Sequence, residues 1–124
     1  MTAESISEAE SAVLAVLWDN GPAIAEDVSA ALAAPRGWHD STVKTLLGRL
    51  LKKGAVQARK DGRRFIYSPT LSREEWLSRE SDSLLNRLYG GRVAPLVAHF
   101  SRHRKLSKRD IRELKRLIEG LDEE

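Results

Sequence analysis

The chain has 124 residues, 31% of them charged, with a mean hydropathy of −0.42, enough for one ordinary domain or for a small domain with an appendage. It holds no cysteine, which excludes disulfides, cysteine-based zinc sites and a thiol nucleophile. Its longest apolar run, near Val13–Trp18, falls short of the roughly 20 residues of a membrane span, and Met1 to Ser5 lack the basic and apolar regions of a signal peptide, so no membrane insertion and a cytoplasmic location are expected.

The first helix starts at a capping box, Ser7-Glu8-Ala9-Glu10, and Asn20-Gly21-Pro22 ends it. A second helix runs from about Ala25 to Ala34, with Ile24, Val28 and Leu32 in one narrow apolar stripe, and Pro35-Arg36-Gly37 breaks it. Asp40 is expected to cap a third helix, Ser41 to Lys53, stopped by Gly54. Its apolar residues Val43, Leu46, Leu47 and Leu50 recur at i, i+3, i+4, i+7, and the opposite face carries Ser41, Thr42, Lys44, Thr45, Gly48, Arg49 and Lys52 with no acid among them. From Ala55 to Pro69 the chain predicts a hairpin with Asp61-Gly62 as its two-residue turn. In that register Lys60 opposes Arg63 and Arg59 opposes Arg64, like charges that an anion would have to neutralise.

Beyond Pro69 the pattern is helical throughout. A capping box at Ser72–Glu75 leads a helix over residues 72–89; Val93, Leu96, Val97 and Phe100 mark a short helix; and a last helix from about Ser107 carries Ile111, Leu114, Leu117, Ile118 and Leu121. The fold class is therefore mainly α: a winged helix-turn-helix of three helices plus a two-stranded hairpin over residues 1–70, then a helical dimerisation tail over residues 71–124.

Charge is unevenly spread. Residues 1–35 carry six acids and no Lys or Arg, residues 36–64 nine bases against two acids, and residues 65–124 twelve bases against ten acids. The middle stretch, a net of +7, has the composition of a polyanion-binding surface, or more plainly of a solvated charged face. Short side chains at Ser41, Thr45 and Gly48 would let the third helix approach a DNA groove, with Lys44, Arg49 and Lys52 reaching phosphates or guanine edges and Arg63 and Arg64 at the wing tip reaching the backbone. His99 and His103 stand i, i+4, but neither a cysteine nor a placed carboxylate completes a metal site, and no nucleophile triad, phosphate loop or carboxylate pair points to an enzyme. No cofactor is expected. Ser7, Ser72 and Ser107 are explained as caps, and Trp18, Trp38 and Trp76 as core anchors.

Several segments resemble the penicillinase-repressor family, the BlaI/MecI/CopY group of transcriptional repressors. They are Ile6-Ser7-Glu8-Ala9-Glu10, Leu17-Trp18 with Gly21-Pro22, Gly37-Trp38, Thr42-Val43-Lys44-Thr45-Leu46-Leu47 with Arg49-Leu50, Lys53-Gly54 and Tyr67-Ser68-Pro69; Leu96-Val97-Ala98-His99-Phe100 is similar to the family's tail. The resemblance implies a homodimer on an inverted-repeat operator of double-stranded DNA, and relief of repression by a membrane metalloprotease sensor that cuts the tail near His99 and Phe100. It departs from the family at Ile24, where a Thr usually starts the second helix, and at His99, where members known for such cutting have Asn. Leu84, Leu88, Val93, Leu96, Val97, Phe100, Leu114, Leu117 and Ile118 are expected to supply the dimer interface. The competing possibility is a winged-helix protein-interaction adaptor without specific DNA binding; it gives no reason for the net +7 of residues 36–64.

Overall fold

The computed structural model describes residues 5–122, and the chain divides into two compact units between Leu77 and Ser78. Elements run in the order α1 (Glu8–Asn20), β1 (Ala23–Ile24), α2 (Ala25–Arg36), α3 (Asp40–Lys52), β2 (Val56–Asp61), β3 (Arg64–Pro69), α4 (Arg73–Tyr89), α5 (Val93–Arg102) and α6 (Lys108–Asp122).

In the N-terminal unit the apolar stripes of α1, α2 and α3 meet in one core. Val13, Leu14, Leu17, Val28, Leu32, Val43, Leu46, Leu47 and Leu50 are buried there, and Ala55, Val56 and Leu71 close it from the sheet side. The capping box of α1 forms in both directions: the Ser7 amide donates to Glu10 Oε1 at 2.8 Å and the Glu10 amide to Ser7 Oγ at 3.1 Å. Gly37 closes α2 in the left-handed conformation, φ 64°, with Pro35 inside the last turn.

Four expectations change in three dimensions. The wing is a three-stranded antiparallel sheet ordered β1-β3-β2, because Ala23 and Ile24 pair with Tyr67 and Ile66; a two-residue strand shows no alternation to detect. The hairpin turn is Gly62-Arg63, with Asp61 opposite Arg64, Lys60 opposite Phe65 and Arg59 opposite Ile66. Gly62 has φ 65° at the first central position and Arg63 does not go positive, which is the type II′ arrangement; an Asp61-Gly62 turn of type I′ would require Asp61 to go positive as well. Moving the turn by one residue shifts each cross-strand partner by two, so every side chain keeps its face but the like-charge pairs disappear. Asp40 does not cap α3 from outside: His39 is the N-cap without a side-chain bond, and the Asp40 carboxylate accepts a hydrogen bond from the buried Ser29 hydroxyl of α2, tying the two helices at their turn. Lastly, the N-terminal core extends past Pro69. Leu71 is 6% exposed, its carbonyl accepts from Trp18 Nε1 at 2.9 Å, and the Trp76 ring packs 5.7 Å from that of Trp18.

In the C-terminal unit α6 is capped as the spacing predicts, while Arg92 precedes α5 without a side-chain cap bond. At the start of α6 the Asp110 amide donates to Ser107 Oγ at 3.0 Å, and the Ser107 amide to Asp110 Oδ2 at 3.2 Å. None of the residues of α4, α5 or α6 is fully buried, and Leu84, Leu88, Val93, Phe100, Ile111, Leu117, Ile118 and Leu121 are exposed.

Candidate nucleic-acid interface

Helix α3 is sharply two-faced. Val43, Leu46, Leu47 and Leu50 enter the core, which leaves Ser41, Thr42, Lys44, Thr45, Gly48, Arg49 and Lys52 exposed together on the outside. Thr45 spends its hydroxyl proton on the Ser41 carbonyl one turn back, at 2.9 Å, so it offers an outside partner its oxygen lone pairs and methyl group rather than a donor. Glycine in a helix interior costs about 0.5–1 kcal/mol relative to alanine. A Cβ built on Gly48 would meet nothing within 4 Å, so no internal contact explains its absence. The backbone of α3 is open to close approach from outside at this point.

Two shallow concavities flank this face. One is lined by Ser41, Thr42, Thr45, Leu46 and Arg49. The other brings Lys44 of α3 together with Arg63, Arg64, Phe65 and Tyr67 of the wing and with Ala25 and Glu26 at the start of α2. Lys52 lines neither. The sequence reading places the start of α2 at Ala25, as observed, but does not bring Ala25, Glu26 or Phe65 to this face. Ile24, the N-cap of α2, makes no side-chain cap bond, so it carries no capping signal, and Phe65, 49% exposed, reads as a core residue of an alternating strand.

The structure also sorts the nine bases of residues 36–64. Two are neutralised by α1: Arg36 forms a forked pair with Glu8, at 3.1 and 2.5 Å, which holds the Glu8 carboxyl below its ordinary pKa, and Lys53 pairs with the buried Glu10 at 2.5 Å. The other seven, Lys44, Arg49, Lys52, Arg59, Lys60, Arg63 and Arg64, are exposed and without an ion pair among the described residues. Replacing Arg63 or Arg64 by alanine should flatten the salt dependence of DNA binding by about 0.9 log units per decade for each phosphate no longer neutralised, on all sequences alike. Arg63 lies in the turn and faces no charge across the hairpin, so its loss should leave the melting temperature unchanged, whereas Arg64 faces Asp61 and its loss should lower it slightly. An unmoved slope in a salt titration would place the wing away from the nucleic acid.

Comparison with known proteins completes the assignment. The family described as penicillinase repressor matches residues 6–120. The chain belongs to that family. As a penicillinase repressor family member it is 35% identical to the penicillinase repressor of Bacillus licheniformis over 114 residues, 92% of this chain and 89% of that protein. Against the methicillin resistance regulatory protein MecI of Mammaliicoccus sciuri the identity is 30%, over 91% of this chain and 92% of the other. Among solved structures, the DNA-binding domain of the repressor BlaI matches with a TM-score of 0.55 at 34% identity, covering 60% of this chain and 90% of that one. Bacillus licheniformis BlaI, solved as a monomer in complex with the blaP half-operator, matches with a TM-score of 0.53 at 34% identity and the same coverage.

Within the C-terminal unit of this family member, Leu84, Leu88, Val93, Phe100, Leu117 and Ile118 are exposed, and Leu96, Val97 and Leu114 half-buried. His99 and Phe100 lie on α5, with the His99 ring 5.8 Å from Phe100 and 4.5 Å from His103. Among the described residues no group of three or more His, Cys, Asp or Glu could hold a metal ion, and no helix is long and apolar enough to cross a membrane.

Proposed function

We propose that the chain is a sequence-specific transcriptional repressor that acts in the cytoplasm as a homodimer on an inverted-repeat operator. The observation that carries this is the outer face of α3: a bare Gly48 with open space above it, set among Ser41, Thr45 and seven unpaired cations of α3 and the wing. The likeness to a repressor solved in complex with its half-operator supports DNA binding by this unit. Lys44, Thr45 and Arg49 read base edges in the major groove, Ser41, Thr42 and Lys52 meet the backbone, and Arg63 and Arg64 hold the flanking phosphates. Arg49→Ala or Thr45→Ala should lose about 1–3 kcal/mol on the cognate site and relax base preference there. Competition gel shifts with single-base operator variants measure this, and equal losses on cognate and random DNA would make both residues phosphate contacts only.

Dimerisation is supported by what the C-terminal unit leaves uncovered. Three helices without one fully buried residue have no core of their own. A second copy would cover Leu84, Leu88, Val93, Leu96, Val97, Phe100, Leu114, Leu117 and Ile118, and two-fold symmetry would then set two copies of α3 about 34 Å apart, one turn of DNA. The switch we assign to the tail is proteolysis near His99-Phe100 by a membrane metalloprotease sensor, which would detach α6 and lose the second half-site. Cleavage on α5 requires its backbone to open first, so fragments ending near His99 should form from free protein faster than from operator-bound protein. Mass spectrometry after incubation with induced host membranes reads this, and no such fragment under any inducing condition would remove proteolysis from the account.

A further inference from the structure

The N-terminal face does not hold all of the cationic surface. Between Arg102 and Arg116 the C-terminal unit carries eight Lys or Arg against Asp110 and Glu113, a net of +6 within fifteen residues. Every one of these cations is exposed. Both acids are already engaged, Asp110 with the Ser107 amide at the cap of α6 and Glu113 with Arg109 at 3.0 Å.

Three features of this stretch work against the stability of the free protein. Arg104 is in the left-handed region, φ 57°, alone among the non-glycine residues described. The turn there is the kind glycine terminates: the Lys105 amide reaches back to the Phe100 carbonyl at 2.8 Å, while Gly37 and Gly90 take the positive-φ positions after α2 and α4. A cation therefore sits where a glycine would be less strained. Lys108 and Arg109 occupy the first turn of α6, the end at which the helix dipole disfavours positive charge. Lys108, Arg112 and Arg116 repeat at i, i+4, i+8 along one face, a like-charge ladder that repels itself. The dipole accounts for Arg102 at the end of α5 and favours Arg104 and Lys105 just past it, but not Lys108, Arg109, Arg112 or Arg116.

We propose that Arg102, Arg104, Lys105, Lys108, Arg112 and Arg116 form a second polyanion-binding surface, which takes the phosphate backbone of duplex DNA. An anionic partner neutralises the charges behind the second and third penalties; the first is steric, and a partner accounts only for a cation being kept at that strained position. The cations spread over the end of α5, the connection and α6, rather than lining a single helix beside an aromatic-rich apolar face, and this favours a phosphate backbone over a lipid surface. The surface is separate from α3 and the wing, adds affinity without base preference, and raises the salt dependence of binding beyond what the N-terminal unit supplies.

The test uses the full chain and a duplex of random sequence, with binding followed against salt. Arg104→Gly should raise the melting temperature, because glycine accepts the left-handed position, and yet make the slope shallower by about 0.9. A combined Lys108→Gln, Arg112→Gln, Arg116→Gln variant should lose up to three times that, with unchanged helicity by circular dichroism. Repeating both in a chain that also carries Arg49→Ala, Arg63→Ala and Arg64→Ala separates this surface from the proposed operator face. Residual duplex binding that the tail changes then abolish supports the assignment. Slopes unmoved by the tail changes in both backgrounds overturn it while leaving the operator face intact. Should the α3 and wing changes cost no operator preference while the tail changes still flatten the slope, the operator reading fails and this one stands. Tail-dependent binding to phosphatidylserine–phosphatidylcholine vesicles, with the duplex slope unmoved, overturns it in favour of a lipid surface.

Discussion

Cutting the chain after Leu77 should leave a folded monomer that binds one half-site, with operator affinity reduced about 10²–10⁴-fold. That is the usual gain from linking two modest contacts into one bivalent ligand, and the compact unit that ends at Leu77 is the natural place for the cut. Cutting after Pro69, where the helical pattern changes in the sequence, should instead unfold the domain. It would remove Leu71, 6% exposed, together with the carbonyl that accepts the Trp18 indole and the Trp76 ring beside it. A buried leucine truncated to alanine costs about 2–5 kcal/mol and a tryptophan about 3–5, against a total domain stability of about 5–15 kcal/mol. Sedimentation and thermal melts of the two truncations distinguish the outcomes. A chain ending at Leu77 that still sediments as a dimer would relocate the dimer interface to the N-terminal unit.

The second large effect lies far from the outer face of α3. Lys53→Ala should destabilise the domain by about 3–5 kcal/mol, the penalty for leaving one member of a buried ion pair alone. Glu10 is 1% exposed, and Lys53 Nζ bridges its carboxylate at 2.5 Å and the Ser5 carbonyl at 2.7 Å. Burial alone pushes the Glu10 carboxyl up, but the bonds from Lys53 and Ser7 outweigh it, and the folded value lies below the ordinary 4.5. A depressed carboxyl contributes stability that is full above the unfolded value and is lost as pH falls through the folded one. The wild-type protein should therefore lose this contribution on acidification below about pH 4.5. The gap to Lys53→Ala should begin to close at higher pH, because burial without the ammonium pushes Glu10 up and it takes its proton earlier, and should finish closing as pH falls through the lowered wild-type value. Denaturant melts across pH measure both. A gap that stays constant with pH would mean that Lys53 acts through its aliphatic stem.

Local patterns determined most of the helical frame. The capping boxes at Ser7 and Ser72, the i, i+3, i+4, i+7 stripe of α3 and the breaks at Gly21, Gly37 and Gly54 are short-range signals, since each is decided by residues within a turn or two of one another. The exposed face of α3 was legible for the same reason: once Val43, Leu46, Leu47 and Leu50 are committed inward, helical geometry leaves Ser41, Lys44, Thr45 and Arg49 outside. What needed the tertiary structure were the long-range choices. Whether the turn sits at Asp61-Gly62 or one residue later depends on β1 docking against β3 as well as on the turn residues. Whether a lysine in a cationic run faces a partner or the interior cannot be seen from the run itself, and Lys53 and Arg36 were claimed by acids forty-three and twenty-eight residues away. The end of the domain, too, was set by Leu71 and Trp76 reaching back to Trp18, and a contact across fifty-three residues leaves no trace in the local periodicity that marks where helices begin and end.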